Sequence, residues 1–592
     1  MTQTQTEWKP KRTNDEVEKI LTAPGSLHEL ETVFIDGLVQ RVYKNLWPST
    51  RIFWFSILEQ HGDKTCTVSE DRRYTFKEIH QRAIKAASIY RDIYGVKKGD
   101  RVAICSRNYP DYFTFFWATQ MIGAVSVLIN AWLPQDQLFH CIAKTECIFV
   151  LIDPERADRL ISVIPNLKSK GVAAFAVIEN FSKRSWLGVD DWKTIWDNYR
   201  GDVNRIMTED PNILPEDNAT IIFTSGTSGM PKGVLSSHRA FLTVTLNALA
   251  GRGRTMLREG EELSFAPAPG PPGGIILATP LFHVTGTSLM LLCAVAGQKI
   301  VLMRKWDIKE AVRLMKAENI TAFGGVPTTI SDLADSAAAG HPLEAVMYGG
   351  APTSVPLALR ARKAFPNALM SQAYGMTETN ALAVGFNGHD YEMRWKSCGR
   401  AMPINDVIIM LDGKQCPTGT PGEVWMRGPN IMKGYWGDPE ATAKALTKDG
   451  WCKSGDIGYL DEEGFLFING RLKDMIIRGG ENVDPVSVEN IIHRDERVME
   501  AAAVGVPDER LGELVTVLVT IKPAYKDQVK EEELIALAEQ HLPKFAVPVM
   551  IMIYEDEFEH TPSEKIIKAP LRKIAGEEWK RRQVAKPVKA KL

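Results

Sequence analysis

Residues Ala219-Thr220-Ile221-Ile222-Phe223 form a β-branched apolar run, and Thr224-Ser225-Gly226-Thr227-Ser228-Gly229-Met230-Pro231-Lys232-Gly233 follows it directly. The run predicts a buried strand, and the Gly/Ser/Thr cluster predicts a loop at the strand's end. Gly226, Gly229 and Gly233 allow backbone conformations that other residues avoid. Thr224, Ser225, Thr227 and Ser228 add hydroxyls beside the backbone N–H groups, and Lys232 adds a mobile positive charge. Such a loop makes a cradle for a polyphosphate. Its spacing, G-x-x-G-x-x-K-G, is not the G-x-x-x-x-G-K-[ST] of a Walker loop. Taken alone, it also reads as a flexible Ser/Gly surface turn.

Four later segments decide between these readings: Gln372-Ala373-Tyr374-Gly375-Met376-Thr377-Glu378-Thr379, Trp451 to Gly458, Gly470-Arg471-Leu472-Lys473-Asp474-Met475-Ile476, and Thr561-Pro562-Ser563-Glu564-Lys565. With the loop they resemble, in order, the signatures of the adenylate-forming superfamily, which includes acyl-CoA synthetases, peptide-synthetase adenylation domains and beetle luciferases. The resemblance covers about Arg51 to about Ile574. It implies an α/β fold: a large layered N-terminal α/β domain with a small mobile α+β C-terminal domain.

At 592 residues, the chain is too long for one core, so more than one domain is expected. Residues 1–50 precede the resemblance and read as an extension packed on the main body. Residues 51–472 read as the AMP- and acyl-binding domain, and 473–592 as the mobile domain with a basic tail. The Tyr74–Ile79 segment opens an amphipathic helix through Tyr90, and Gly99–Ile104 reads as a turn entering a strand. Glu463-Gly464 reads as a hairpin turn between strands. Helix and strand patterns are expected to alternate through residue 470, and a charged helix is expected near Lys530 to His541.

A net charge of −2 gives no reason to expect nucleic acid as a partner. The eight cysteines show no C-x-x-C pair, which fits a reducing compartment and argues against a zinc site. No secretory signal is evident. The apolar stretch from Gly273 to Gly297, interrupted by Pro280, His283 and Gly286, reads as core rather than a membrane span. The C-terminal Ala590-Lys591-Leu592 is similar to a peroxisomal address, so a eukaryotic source implies a peroxisomal import receptor as partner, and a bacterial source a cytoplasmic enzyme.

The resemblance implies roles for particular residues. Thr224 to Gly229 and Lys232 hold the ATP phosphates. Thr377 donates to the α-phosphate, and Glu378 holds Mg²⁺. Tyr374 offers a flat face to adenine, beside Gly375. Gly349, Gly350 and Ala351 let the backbone approach the base and acyl group. Asp456, an acceptor-only carboxylate, suits the ribose hydroxyls, and Arg471 reaches ribose and phosphate. Lys473 is the hinge. Lys565 bridges carboxylate and α-phosphate during adenylation, and Glu564 before it departs from the family's usual glycine. His283, Thr285 and Gly286 line the acyl pocket. Gly480, Glu481 and Asn482 resemble the segment facing the pantetheine route, which favours CoA as acceptor.

The implied reaction is ATP-dependent ligation of a carboxylic acid to CoA through an acyl-AMP, with ATP, Mg²⁺ and CoA required. A medium- or long-chain fatty acid is the first substrate expected, then an aryl acid such as coumarate, then a sterol or specialised-metabolite acid. A luciferase-like oxygenase and a nucleotide-binding pseudo-enzyme are the competing readings.

Overall fold

The computed structural model describes residues 8–224, 230–265, 273–350, 353–479, 481–561 and 566–585. Local rules set many of its elements. Thr75 caps the helix Phe76–Asp92 with a reciprocal Thr75–Glu78 capping box, and Ile79, Ala83, Ala86 and Tyr90 turn inward from it. The turn after Gly99 enters the strand Arg101–Cys105.

Two sheets carry the large body. In the first, Arg101–Cys105, Val125–Leu128, Phe149–Ile152, Ala174–Val177 and Asn218–Thr224 run parallel. Their apolar residues are buried on both faces, as a sheet covered by helices requires. Lys232–Ser237 pairs antiparallel with Asn218–Thr224. The second sheet has a parallel half: Thr65–Ser69, Lys299–Leu302, Gly274–Leu277, Ile320–Gly325, Ala345–Tyr348 and Leu369–Tyr374. Between the sheets lie the helices Pro110–Met121, His238–Glu259 and Val284–Ala296. Phe116, Trp117, Phe241 and Leu291 pack there in one core with Ile104 and Ile222 of the first sheet and Ile275 and Ile300 of the second.

The expected alternation stops earlier than residue 470. From Val384 onward the second sheet continues antiparallel through Val384–Asn387, Ser397–Ala401, Leu466–Arg471, Cys452–Leu460, Gly422–Arg427 and Asp406–Leu411. These strands are half-exposed and joined by tight turns, so they need no crossover helices. The hairpin at Gly464 is one of them, with φ of 78° at that glycine.

Residues 8–50 are laid on this body. Helix Asn14–Leu21 buries Val17 and Leu21 against Ala250 and Leu257 of the His238–Glu259 helix, and Trp8 stacks on His389 at 5.5 Å. The hairpin Leu30–Ile35/Leu38–Tyr43 follows. Further along the chain, Val498–Asp508 and Gly512–Ile521 form the long antiparallel pair of a smaller sheet, flanked by helices Pro485–Ile492, Glu531–His541 and Lys568–Ala585. Among the described residues, no helix is long and apolar enough to cross a membrane.

Buried histidines give this core an acid-side weakness. His238 Nδ1 accepts from the Thr50 N–H at 3.3 Å, so the ring is held neutral. Burial pushes its pKa from 6.5 down to about 4, and His28, His80 and His493 are pushed to about 4 in the same way. Between those values the unfolded chain binds more protons than the folded one. Stability is therefore full above 6.5 and is lost as pH falls toward 4. The thermal midpoint should drop steadily across that window, and His238→Gln should flatten part of the slope.

Candidate functional site

The predicted site residues gather where strands from both sheets end. Thr224 closes the Asn218–Thr224 strand opposite Lys232, and its Oγ1 donates to the Lys232 carbonyl at 3.4 Å. Ser225 to Gly229 lie outside the described residues. Gly233 differs from expectation: a side chain there would strike Ile221 Cγ2 at 2.7 Å, so packing, not an unusual φ, selects glycine.

From the second sheet, Tyr374 ends the Leu369–Tyr374 strand and donates to Asp456 Oδ2 at 2.8 Å. Asp456 stands opposite Arg471 across the Cys452–Leu460/Leu466–Arg471 pair, and the Arg471 Nε meets its Oδ1 at 3.0 Å. Burial, then the Asp456 charge, pushes the Tyr374 phenol well above its ordinary value, so it remains a donor. Aromatic face, carboxylate and guanidinium thus form one connected group, suited to a nucleoside with its ribose hydroxyls on the carboxylate.

Thr377 and Glu378 sit on a single 3₁₀ turn, Thr377–Thr379, just past Gly375. A side chain at Gly375 would overlap the Ala381 carbonyl oxygen, so this glycine lets the chain fold back on itself. Glu378 is 6% exposed, and its Oε1 accepts from the Tyr435 hydroxyl at 2.6 Å. The Lys232 ammonium lies 5.2 Å from the centre of the same Tyr435 ring. Tyr435 therefore links the lysine of the phosphate loop to the carboxylate expected to hold Mg²⁺. Sequence reasoning missed it, because 57 positions separate the pair and no local spacing marks it. The Glu378 carboxylate supplies one oxygen ligand of the kind Mg²⁺ shares with phosphates.

Gly349 ends the Ala345–Tyr348 strand's path, and a side chain there would meet nothing nearer than the Ala373 carbonyl at 3.8 Å. Gly350 has φ of 81°, and Ala351 lies outside the described residues. Along these strands Val346, Tyr348, Met370 and Gln372 are buried, while Met347, Gly349, Ser371 and Ala373 are half-exposed on the opposite face. Met347 stands beside Gly324 and Ser371. A side chain at Gly324 would meet Met347 Cε at 3.2 Å and Leu289 Cδ2 at 3.3 Å, so those two side chains close over it.

His283 caps the Val284–Ala296 helix by accepting from the Thr285 N–H at 3.2 Å, a structural task. At Gly286, expected as pocket lining, a side chain would overlap the Pro280 carbonyl. Lys473 is exposed in the turn after Arg471, where the Leu472 N–H donates to Gly455 O at 2.9 Å. Glu481 and Asn482 lie on the strand Glu481–Val483, paired with Ile476–Arg478, and Gly480 lies outside the described residues. So do Glu564, Lys565 and the C-terminal Ala590-Lys591-Leu592. Among the described residues, no hydrogen bond joins Glu481 to the Tyr374–Asp456–Arg471 group.

Removing the Tyr435 hydroxyl leaves Glu378 without its donor and free to turn. For the acid-dependent pyrophosphate exchange that the resemblance implies, Tyr435→Phe should raise the half-saturating Mg²⁺ concentration about 3–10-fold with the fold intact, which a Mg²⁺ titration reads directly.

Comparison with known proteins gives a consistent result. The AMP-binding enzyme family matches residues 55–436, and the AMP-binding enzyme C-terminal domain matches residues 487–565. A 2-succinylbenzoate–CoA ligase of Geobacillus sp. (strain WCH70) is 30% identical over 505 residues, spanning 84% of this chain and 92% of its own. The 2-methylpropanoate–CoA ligase CCL4 of Humulus lupulus is 28% identical over 544 residues, spanning 87% and 93%. The ATP-bound crystal structure of MatB from Rhodopseudomonas palustris is similar with a TM-score of 0.72 and 25% identity, covering 89% of this chain and 99% of that one.

Proposed function

This chain belongs to the AMP-binding enzyme family and is an ATP-dependent acid–CoA ligase working through an acyl-AMP with ATP, Mg²⁺ and CoA; we propose that its acid is a compact, uncharged monocarboxylate, aryl or short and branched. The observation that supports this is the floor at Gly324. Met347 lies two residues before Gly349 on the same strand face, about 6–7 Å away, and with Leu289 it closes that face. The room between Gly349 and the floor suits a ring or a short branched chain better than the medium- or long-chain fatty acid expected from sequence. Gly324, Met347, Gly349, Ser371 and Ala373 carry no charge, so a second carboxylate would find no cation there. 2-Methylpropanoate, named for the Humulus lupulus relative, is a short and branched acid of this kind; 2-succinylbenzoate, named for the Geobacillus relative, is an aryl acid but carries a second carboxylate.

The roles assigned to the site are those the family resemblance implies, and they suit the chemistry. Coupling a carboxylate to an α-phosphate sets two anions together, so the protein supplies alignment and positive charge. Asp456, fixed by Tyr374 and Arg471, orients the ribose. Lys232 and the 224–229 loop take the outer phosphates, and Thr377 donates toward the α-phosphate. Mg²⁺ held by Glu378 neutralises phosphate charge when bound. Lys565 bridges the two reacting anions, and Lys473, at the boundary between 51–472 and 473–592, serves as the hinge. After rotation, Gly480, Glu481 and Asn482 face the thiol. Peroxisomal delivery rests on Ala590-Lys591-Leu592 alone.

The purified protein should be incubated with ATP, Mg²⁺, CoA and benzoate, coumarate, 2-methylpropanoate, octanoate and palmitate, with AMP and acyl-CoA measured by mass. Compact acids should lead the long-chain acids by about tenfold or more in kcat/KM, and Met347→Ala should move the optimum to longer acids. Palmitate as the best substrate would overturn the compact-acid reading. Separately, Glu564→Gly should speed pyrophosphate exchange, since it restores backbone freedom and removes a negative charge beside Lys565.

A further inference from the structure

Immediately after the Thr377–Thr379 turn, Asn380 and Ala381 adopt φ of 49° and 72°. Asparagine visits this left-handed region readily, but alanine meets a clash between its Cβ and a backbone carbonyl. Consecutive residues in this region persist only where their surroundings hold them. The holding groups are visible on two sides. On one, Asn430 Nδ2 donates to the Thr379 carbonyl at 2.8 Å, Asn380 Nδ2 donates to the Asn430 carbonyl at 2.9 Å, and Asn405 Nδ2 donates to Asn430 Oδ1 at 2.6 Å. On the other, Asn247 Nδ2 donates to the Leu382 carbonyl at 2.8 Å.

That second contact depends on which way the Asn247 amide points. Its Oδ1 accepts from the Tyr43 hydroxyl at 2.9 Å, and both side chains are buried. A flipped amide would set oxygen against the Leu382 carbonyl and leave the phenol without an acceptor. Tyr43 is held in turn: His28 lies 5.5 Å away ring to ring, and its Nε2 meets the Leu246 carbonyl at 3.1 Å. Tyr43 belongs to the 8–50 segment, ahead of residue 55 where the family match begins.

We propose that Tyr43 is a positioning residue for the ligase reaction: its hydroxyl fixes the Asn247 amide, which pins Leu382 and so the strained backbone that presents Thr377 and Glu378. The claim rests on the ligase reading for its effect on rate. The N-terminal segment is then part of the machinery that aligns the phosphates and not only a cover for the His238–Glu259 helix.

The test uses the full-length protein. Tyr43→Phe removes one hydroxyl, and Leu21→Ala removes packing from the same segment without touching the relay, since Leu21 is buried near Gly253. Tyr43→Phe should lower kcat for acid-dependent pyrophosphate exchange about 5–20-fold, with KM for ATP and acid within about twofold. It should also quicken amide hydrogen exchange across residues 379–383. Leu21→Ala should lower the thermal midpoint further yet keep kcat and the 379–383 exchange of the parent. A Tyr43→Phe variant with kcat within about twofold and unchanged amide exchange, or an equal kcat loss in Leu21→Ala, would overturn the proposal. Should the parent protein activate no acid at all, the ligase reading fails by itself, and amide exchange at 379–383 still decides whether Tyr43 holds the loop.

Discussion

Three backbone hydrogen bonds hold the site together. The phosphate-loop hairpin belongs to one sheet and the Tyr374–Glu378 segment to the other, and no strand is shared between them among the described residues. Residues 432–436 cross the gap: the Met432 N–H donates to Glu378 O at 2.8 Å, Lys433 to Leu235 O at 2.9 Å, and Trp436 to Gly233 O at 2.8 Å. The short strand Gly434–Tyr435 then joins the edge of the first sheet beside Lys232–Ser237. Because backbone groups away from water need partners, this crossing fixes the separation of Lys232 and Glu378. Tyr435 lies on it, and the acyl face of the second sheet is referred to the same frame.

What the sequence made legible was mostly local. The apolar run before Thr224, the Thr75–Glu78 capping box and the Gly464 hairpin each state their structure within a few residues. The family was legible because its signatures keep order along the chain. The pairs that make them act together were not: Tyr374 and Asp456 are 82 positions apart, and Tyr43 and Asn247 are 204 apart. Only the topology brings such pairs together. Glycine proved ambiguous for the same reason. Gly233 reads as backbone freedom, yet Ile221 fills the space a side chain would need. The antiparallel stretch from Val384 to Arg471 was read as continued alternation because short half-exposed strands carry little periodicity of their own.

The acyl face shows how packing alone narrows chemistry. A parallel strand presents every second residue to one side. Here that side is small at Gly324, Gly349 and Ala373 and bulky at Met347, with Leu289 facing it from the Val284–Ala296 helix. On the proposed reading, selectivity reduces to how far an apolar tail extends before it meets a thioether. A thioether is among the more yielding groups in a core, so this boundary is one that a single substitution moves.

The N-terminal segment is made long before some of its partners. Arg41 pairs with Asp406, 365 positions downstream, at 2.5 Å, and Arg258 holds Asp390 while its Nη1 donates to the Arg12 carbonyl at 2.7 Å. At roughly 5–20 residues per second on the ribosome, the hairpin Leu30–Tyr43 waits on the order of 20–70 s for its last partner. During that interval the hairpin is tied to the body from one side, where Tyr43 meets Asn247, and its docking is completed only when Asp406 arrives.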